Sequence, residues 1–274
     1  MSERVAVRKT YKLYIGGKFP RSESGRSYIV QDANVALSSR KDARDAVVAA
    51  RAAVKGWAGA TAYNRGQVLY RVAEMLEGRR EQFVALGVPG EEVDAAIDRW
   101  VWYAGWSDKL AQVYGGANPV AGPYFNISAP EPTGVVAVVA PERPALLGLV
   151  SVIAPAIVSG NTVVVAASPA EPLAAITLAE VLATSDLPGG VVNLLTGKIS
   201  ETVPTLAAHM DVNAIDLTGV ADAGLAAELE IKAAENLKRV LRPAPADHDW
   251  FADPGVTRMT TLLETKTVWH PKGV

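Results

Sequence analysis

From Gly134 to Leu241 the chain alternates short, almost uniformly apolar runs with stretches of helical length, and this rhythm constrains the fold more than any other feature. The runs are Val135-Val-Ala-Val-Val139, Thr162-Val-Val-Val165, Val191-Val-Asn-Leu-Leu195, Val212-Asn-Ala-Ile-Asp-Leu217 and Lys238-Arg-Val-Leu241. A strand with one wet face alternates apolar and polar residues. A run that is apolar at nearly every position has both faces covered, as in a parallel sheet lying between helices. The pattern therefore predicts an α/β chain built as a βαβ series with right-handed crossovers. No charge falls between Arg143 and Glu171, yet Pro155 and Gly160-Asn-Thr162 divide this stretch into pieces shorter than the about 20 residues of a spanning helix. It reads as a buried helix followed by a buried strand.

The first third reads differently. Tyr11 to Ile15 is an extended segment running into a turn at Gly16-Gly17, and three amphipathic helices follow. Ser39 with Asp42 three residues on makes a capping box for the first, whose apolar face is Ala43, Ala46, Val47, Ala50, Val54 and Trp57. Asn64 and Gln67 open the second, with Val68, Leu69, Val72, Ala73 and Leu76 on one face. The third begins near Glu91 and carries Val93, Ile97, Trp100, Val101, Ala104 and Leu110. Its aromatic residues Trp100, Trp102, Tyr103 and Trp106 read as core rather than as a cofactor box. At the far end, after a proline-rich piece from Arg242, the residues from Leu262 to His270 alternate and are β-branched, which predicts a strand free to pair with a sheet edge.

Composition narrows the function. With 49% apolar and 20% charged residues in 274, the chain folds rather than staying disordered. A net charge of −2 gives no reason to expect nucleic acid. There is no cysteine, so disulfides, thiolate metal sites and a cysteine nucleophile are outside its repertoire. His209, His248 and His270 stand too far apart for a ligand motif and read as isolated surface residues. The first residues carry no apolar leader pattern, and a cytoplasmic location is expected.

Several motifs resemble those of the aldehyde dehydrogenase superfamily from Tyr11 to Leu241 and again from Leu262 to His270. Tyr14-Ile-Gly-Gly-Lys18 is similar to the family's opening strand, and Glu131-Pro-Thr-Gly134 with the following strand to the start of its cofactor domain. Ala154-Pro-Ala-Ile-Val-Ser-Gly-Asn161, Asp186-Leu-Pro-Gly-Gly190 and Leu217-Thr-Gly219 match further. The resemblance implies a Rossmann-like cofactor-type domain at 1–115 and 134–245, with an oligomerisation arm and tail at 116–133 and 256–274 and no catalytic domain.

It also implies losses. The family's Pro-Trp-Asn, whose asparagine stabilises the substrate oxyanion, is Pro141-Glu142-Arg143 here. Its Lys-Pro-Ser, whose lysine reaches the adenosine ribose, is Ala166-Ala167-Ser168, and the serine that faces the pyrophosphate is Val220. The second glycine of the loop after Gly197 is replaced near Val203. The family's Glu-Leu-Gly-Gly, with its general base, is Arg242-Pro243-Ala244-Pro245. On this resemblance the expectation is a non-catalytic subunit, an aldehyde dehydrogenase pseudoenzyme with no catalytic residues, no metal and no cofactor. It would bind a full-length aldehyde dehydrogenase, or itself, through the arm and the tail strand. The alternative is an NAD(P)-binding or sensing module with weak residual binding of NAD or NADP at Ser168, Gly197, Thr218 and Gly219. Each of these small residues reads equally well as an ordinary strand-to-helix turn. A third possibility, unrelated catalysis at Glu142 and Arg143, stands beside the reading of that pair as a solvated loop.

Overall fold

The computed structural model describes residues 9–273. Three short strands open it, β1 (Thr10–Tyr11), β2 (Ser27–Val30) and β3 (Ala33–Ala36), forming a small sheet in the order β1-β3-β2. The segment predicted to be extended from Tyr11 to Ile15 is split. Beyond β1, Tyr14 bridges to Leu194 and Ile15 folds back onto Lys18.

Helix α1 (Arg40–Gly59) starts on the expected capping box, with Ser39 Oγ accepting from the Lys41 and Asp42 amides and the Asp42 carboxylate accepting from the Ser39 amide. Helix α2 (Ala62–Glu77) begins earlier than predicted, because the Thr61 hydroxyl accepts the Asn64 amide at 3.1 Å and is the true cap. A short α3 (Arg80–Ala85), unread in the sequence, precedes α4 (Gly90–Trp106) and α5 (Leu110–Tyr114). Val101 points outward, whereas Trp100 and Tyr103 are buried.

Strands β4 (Gly116–Asn118) and β5 (Tyr124–Pro132) lead into the βαβ series. Its elements are β6 (Val135–Val139), α6 (Leu147–Val158), β7 (Thr162–Ala166), α7 (Pro172–Leu182), β8 (Val192–Leu195), α8 (Ile199–Ala208), β9 (Ala214–Asp216), α9 (Ala223–Ala234) and β10 (Arg239–Leu241). The five strands are parallel in the order β10-β9-β6-β7-β8. This is the α/β, Rossmann-like sheet the apolar runs predict.

Why those runs are uniformly apolar is visible in the two faces. Val136, Val138, Val163 and Val165 pack on one side with α6 and α7, backed by α2 and α4. Val135, Ala137, Val139 and Val164 pack on the other with α1, α8 and α9. Successive side chains point to opposite faces, and both faces are dry. All twelve residues of α6 are buried, and the indole of Trp57 donates to the Ile157 carbonyl at 2.8 Å.

After the proline-rich piece come α10 (Thr257–Thr261) and β11 (Leu263–Pro271). Strand β11 pairs antiparallel with β5 over nine residues, giving a second sheet in the order β11-β5-β4. Buried Asn161 joins the two sheets, accepting from the Gly134 amide at 2.7 Å and donating to the Leu262 carbonyl at 2.9 Å. No helix among the described residues is long and apolar enough to cross a membrane.

Candidate functional site

Ligands of open parallel sheets collect at the carboxyl ends of the strands, and four residues singled out in the sequence lie there. Each is engaged by the chain itself. The Ser168 hydroxyl accepts from the Ala170 and Glu171 amides at 3.2 and 3.3 Å, turning the chain into α7. Gly197 has φ +120°, and a Cβ there would lie 2.6 Å from Leu37 Cδ1. The neighbouring Thr196 carbonyl accepts from the Ser38 amide and hydroxyl at 2.9 and 2.5 Å, so this loop is stitched to the start of α1. A Cβ on Gly219 would collide with the Ala140 carbonyl, while its amide donates to Val139 at 3.0 Å. Ala166, Val203 and Val220 are core residues on the α1, α8 and α9 side. Glu142 and Arg143 stay exposed at the surface, Arg143 pairing with Glu171 at 3.1 Å.

Thr218 belongs to a network the sequence reading missed. Asp216, fully buried at the end of β9, accepts from the Thr218 amide at 2.9 Å and from its hydroxyl. Arg258 of α10 donates from one nitrogen, Nη1, to Asp216 and to Thr218 Oγ1, both at 2.6 Å. Behind it, the buried Arg99 of α4 donates to Ser151 Oγ at 2.9 Å and to the carbonyls of Trp250 and Ala252 at 2.8 and 3.1 Å. Burial pushes the Arg99 pKa down, and burial raises that of neighbouring Tyr103 to about 12. Arg99, Tyr103, Ser151, Thr218 and Arg258 border a cavity of about 560 Å³ between the ends of β9 and β10 and the segment 242–261. A signal was available in the sequence: Asp216 is a lone charge in an apolar strand, and Arg99 stands with Glu92, two turns earlier, on the otherwise apolar buried face of α4.

The histidines do not converge. His209 is half-buried, its pKa lowered by burial, and His248 and His270 are exposed. Among the described residues no group of three His, Cys, Asp or Glu could hold a metal ion.

The aldehyde dehydrogenase family model matches residues 30–242. The chain belongs to the aldehyde dehydrogenase family. Human retinal dehydrogenase 2 is 31% identical over 85% of this chain and 48% of its own length. The mitochondrial benzaldehyde dehydrogenase of Antirrhinum majus is 31% identical over 84% of this chain and 46% of its own. Among solved structures, an NAD+ complex of an aldehyde dehydrogenase from Bacillus cereus superposes with a TM-score of 0.79 at 25% identity, covering 85% of this chain and 50% of that one. The chain spans about half the length of the curated relatives it matches.

Two expectations are corrected by these comparisons. The chain was expected not to be an enzyme, yet the relatives it matches are dehydrogenases, and nothing in the comparisons marks an inactive branch. Substitutions at Glu142, Arg143 and Arg242 report on those positions and do not by themselves remove a chain from a catalytic family. It was also expected to take no cofactor, whereas solved relatives that cover this half of the fold are NAD+ complexes. The reason that inference overreached is physical. Ala166 and Val220 remove side-chain donors, but backbone amides at a helix N-terminus also hold phosphate. Helix α8 opens at the sheet edge with no capping side chain, and the acid in its first turn, Glu201, is paired with Arg26, which leaves its first amides to an anion. Helix α9 does not fit one as well, since the Asp222 carboxylate already occupies its first turn by accepting the Leu225 amide at 2.6 Å.

Proposed function

We propose that this chain is an aldehyde dehydrogenase-type subunit that docks on a second subunit, a full-length family member or another copy of itself, through the sheet of β4, β5 and β11. The observation that carries the reading is the nine-residue pairing of β11 with β5. That pairing builds a sheet whose edge strand β11 is exposed from Glu264 to Pro271, with Tyr124, Phe125, Val268 and Trp269 all exposed on it. An open edge strand bearing aromatic residues is a template for pairing with another chain and is costly to leave uncovered. A cytoplasmic site of action goes with this reading and is supported by relatives named as cytosolic enzymes. Purification from the native cells, with light scattering and mass spectrometry of co-eluting chains, tests it. A stoichiometric full-length aldehyde dehydrogenase or a homo-oligomer is expected, and a monomer at micromolar concentration sinks the proposal.

A second reading is favoured by the NAD+ complexes among the solved relatives. In it the chain binds NAD or NADP at the carboxyl edge of the sheet, with the amides of Ile199 and Ser200 at the start of α8 holding phosphate. A bound dinucleotide would supply hydride acceptance, and the chain's part is to place it. Calorimetric titration with NAD and NADP decides this reading, a saturable isotherm supporting it and a flat one removing it.

A further inference from the structure

We propose that the free edge of β11 pairs antiparallel with the same strand of a second copy of this chain, about a two-fold axis at Thr267. This rests on the reading that the sheet of β4, β5 and β11 docks, and it names the partner and the register. The parity of the β11–β5 ladder fixes which backbone groups are free. The Thr133 amide donates to the Leu262 carbonyl and the Lys272 amide to the Pro123 carbonyl, so the even-numbered residues of β11 turn their backbone polar groups toward β5. Pro130 and Pro132, which have no N–H to give, stand opposite Thr265 and Leu263, as that parity requires. Thr265, Thr267 and Trp269 therefore point their N–H and C=O groups away from β5, and among the described residues no strand takes them. The devices that ordinarily blunt an edge are missing along this stretch. It holds no proline before Pro271, and its lysine, Lys266, is drawn back to Glu131 at 3.1 Å.

The sequence of the edge selects a second copy and one register. With Thr267 opposite the partner's Thr267, Thr265 stands opposite the partner's Trp269, and each such pair exchanges two hydrogen bonds. A threonine pair at the axis, flanked by two pairs of a β-branched with an aromatic residue, stabilises the contact between the strands. On the other face Glu264 meets the partner's His270 and Lys266 the partner's Val268, so no like charges are opposed. An axis one residue earlier sets Lys266 against the partner's Lys266, which is destabilising. An axis one residue later sets Thr265 against the partner's Pro271, which has no N–H, and Lys266 against the partner's His270. A two-fold interface needs a patch complementary to itself, and the register at Thr267 meets that condition.

The test uses the purified full chain in light scattering and analytical ultracentrifugation. Thr267→Pro removes one outward N–H without touching a backbone bond to β5, while Thr267→Val keeps that N–H and loses only the hydroxyl's 2.8 Å contact with Ser128 Oγ. The parent and Thr267→Val are expected to be dimers, and Thr267→Pro to dissociate with a Kd at least about tenfold higher. Because the chain has no cysteine, single cysteines report the register even where the proline variant folds poorly. Opposed Cα atoms in a hydrogen-bonded pair lie about 5.5 Å apart, within the span of a disulfide. Thr267→Cys is therefore expected to oxidise to a linked dimer at least about tenfold faster than Lys266→Cys. A purified parent that stays monomeric overturns the inference while leaving a full-length partner to the docking reading. A folded Thr267→Pro that dimerises as tightly as the parent overturns it as well and moves docking to the faces of the sheet. So does linkage as fast at position 266 as at 267.

Discussion

The chain contains two well-formed extended sheets that differ in burial. In β6 and β7 every residue is buried, with neighbours on both sides and helices on both faces. In β11 every residue after Leu263 is exposed, although its ladder with β5 runs nine residues, longer than any in the central sheet. Hydrogen bonds exchanged with water contribute a net of about 0.5–1.5 kcal/mol each, whereas burying a large aliphatic side chain contributes about 1.5–3 kcal/mol. The central sheet is thus stabilised by what it buries. The outer one is given its shape by its ladder, and what remains open is its surface.

The largest effect expected from this contrast is in the centre. Ile153 is fully buried in α6 against the sheet, and Ile153→Ala should lower the unfolding free energy by about 2–5 kcal/mol, measured by urea denaturation. A loss below about 1 kcal/mol would mean that the packing on this face collapses onto the gap and that the centre is less rigid than its burial implies. On the outer sheet, Trp269 is 56% exposed and touches Tyr124 edge-on at 5.6 Å. Trp269→Ser should change unfolding free energy by no more than about 0.5–1 kcal/mol yet reduce the mass of the native assembly in light scattering. An unchanged mass would place the docking surface elsewhere.

The same contrast explains how much could be read from the sequence. Burial on both faces leaves a mark on nearly every residue, so the five central strands were legible to within a residue or two at most ends. The capping box at Ser39 was legible because it depends on two residues three apart. The β2–β3 hairpin was not, since its turn at Gln31 and Asp32 takes positive φ without a glycine to announce it. Helix α3 is six residues long and too short to show a period. At the edge of the sheet, residues known from resemblance drew attention to Ser168, Gly197, Thr218 and Gly219, and three of them do what turns require. Arg99 sits 119 positions from Thr218, and only the fold brings them to the wall of one cavity.

The smallest effect concerns the joint between the sheets. Arg239 of β10 grips Glu264 of β11 with two hydrogen bonds, 2.7 and 2.6 Å, and this holds the Glu264 carboxyl below the usual carboxylate range. A carboxyl whose folded pKa is depressed adds stability that is complete above its unfolded value of about 4.3 and is lost as pH falls through the folded value. The side chains are 39% and 50% exposed, so solvent screening limits the contribution to a few tenths of a kcal/mol, about the worth of a surface pair. Amide exchange around Leu263 and Thr265 should therefore lose a small part of its protection below about pH 4, relative to a Glu264→Gln variant that shows no such step. Protection in the middle of α6, at Ile153, should not follow the difference between the parent and Glu264→Gln, because that stretch is fully buried against the central sheet and is not bonded to Glu264. If both regions lost protection together, the two sheets would open as one unit, and the distinction between a buried centre and a separately tethered arm would fail.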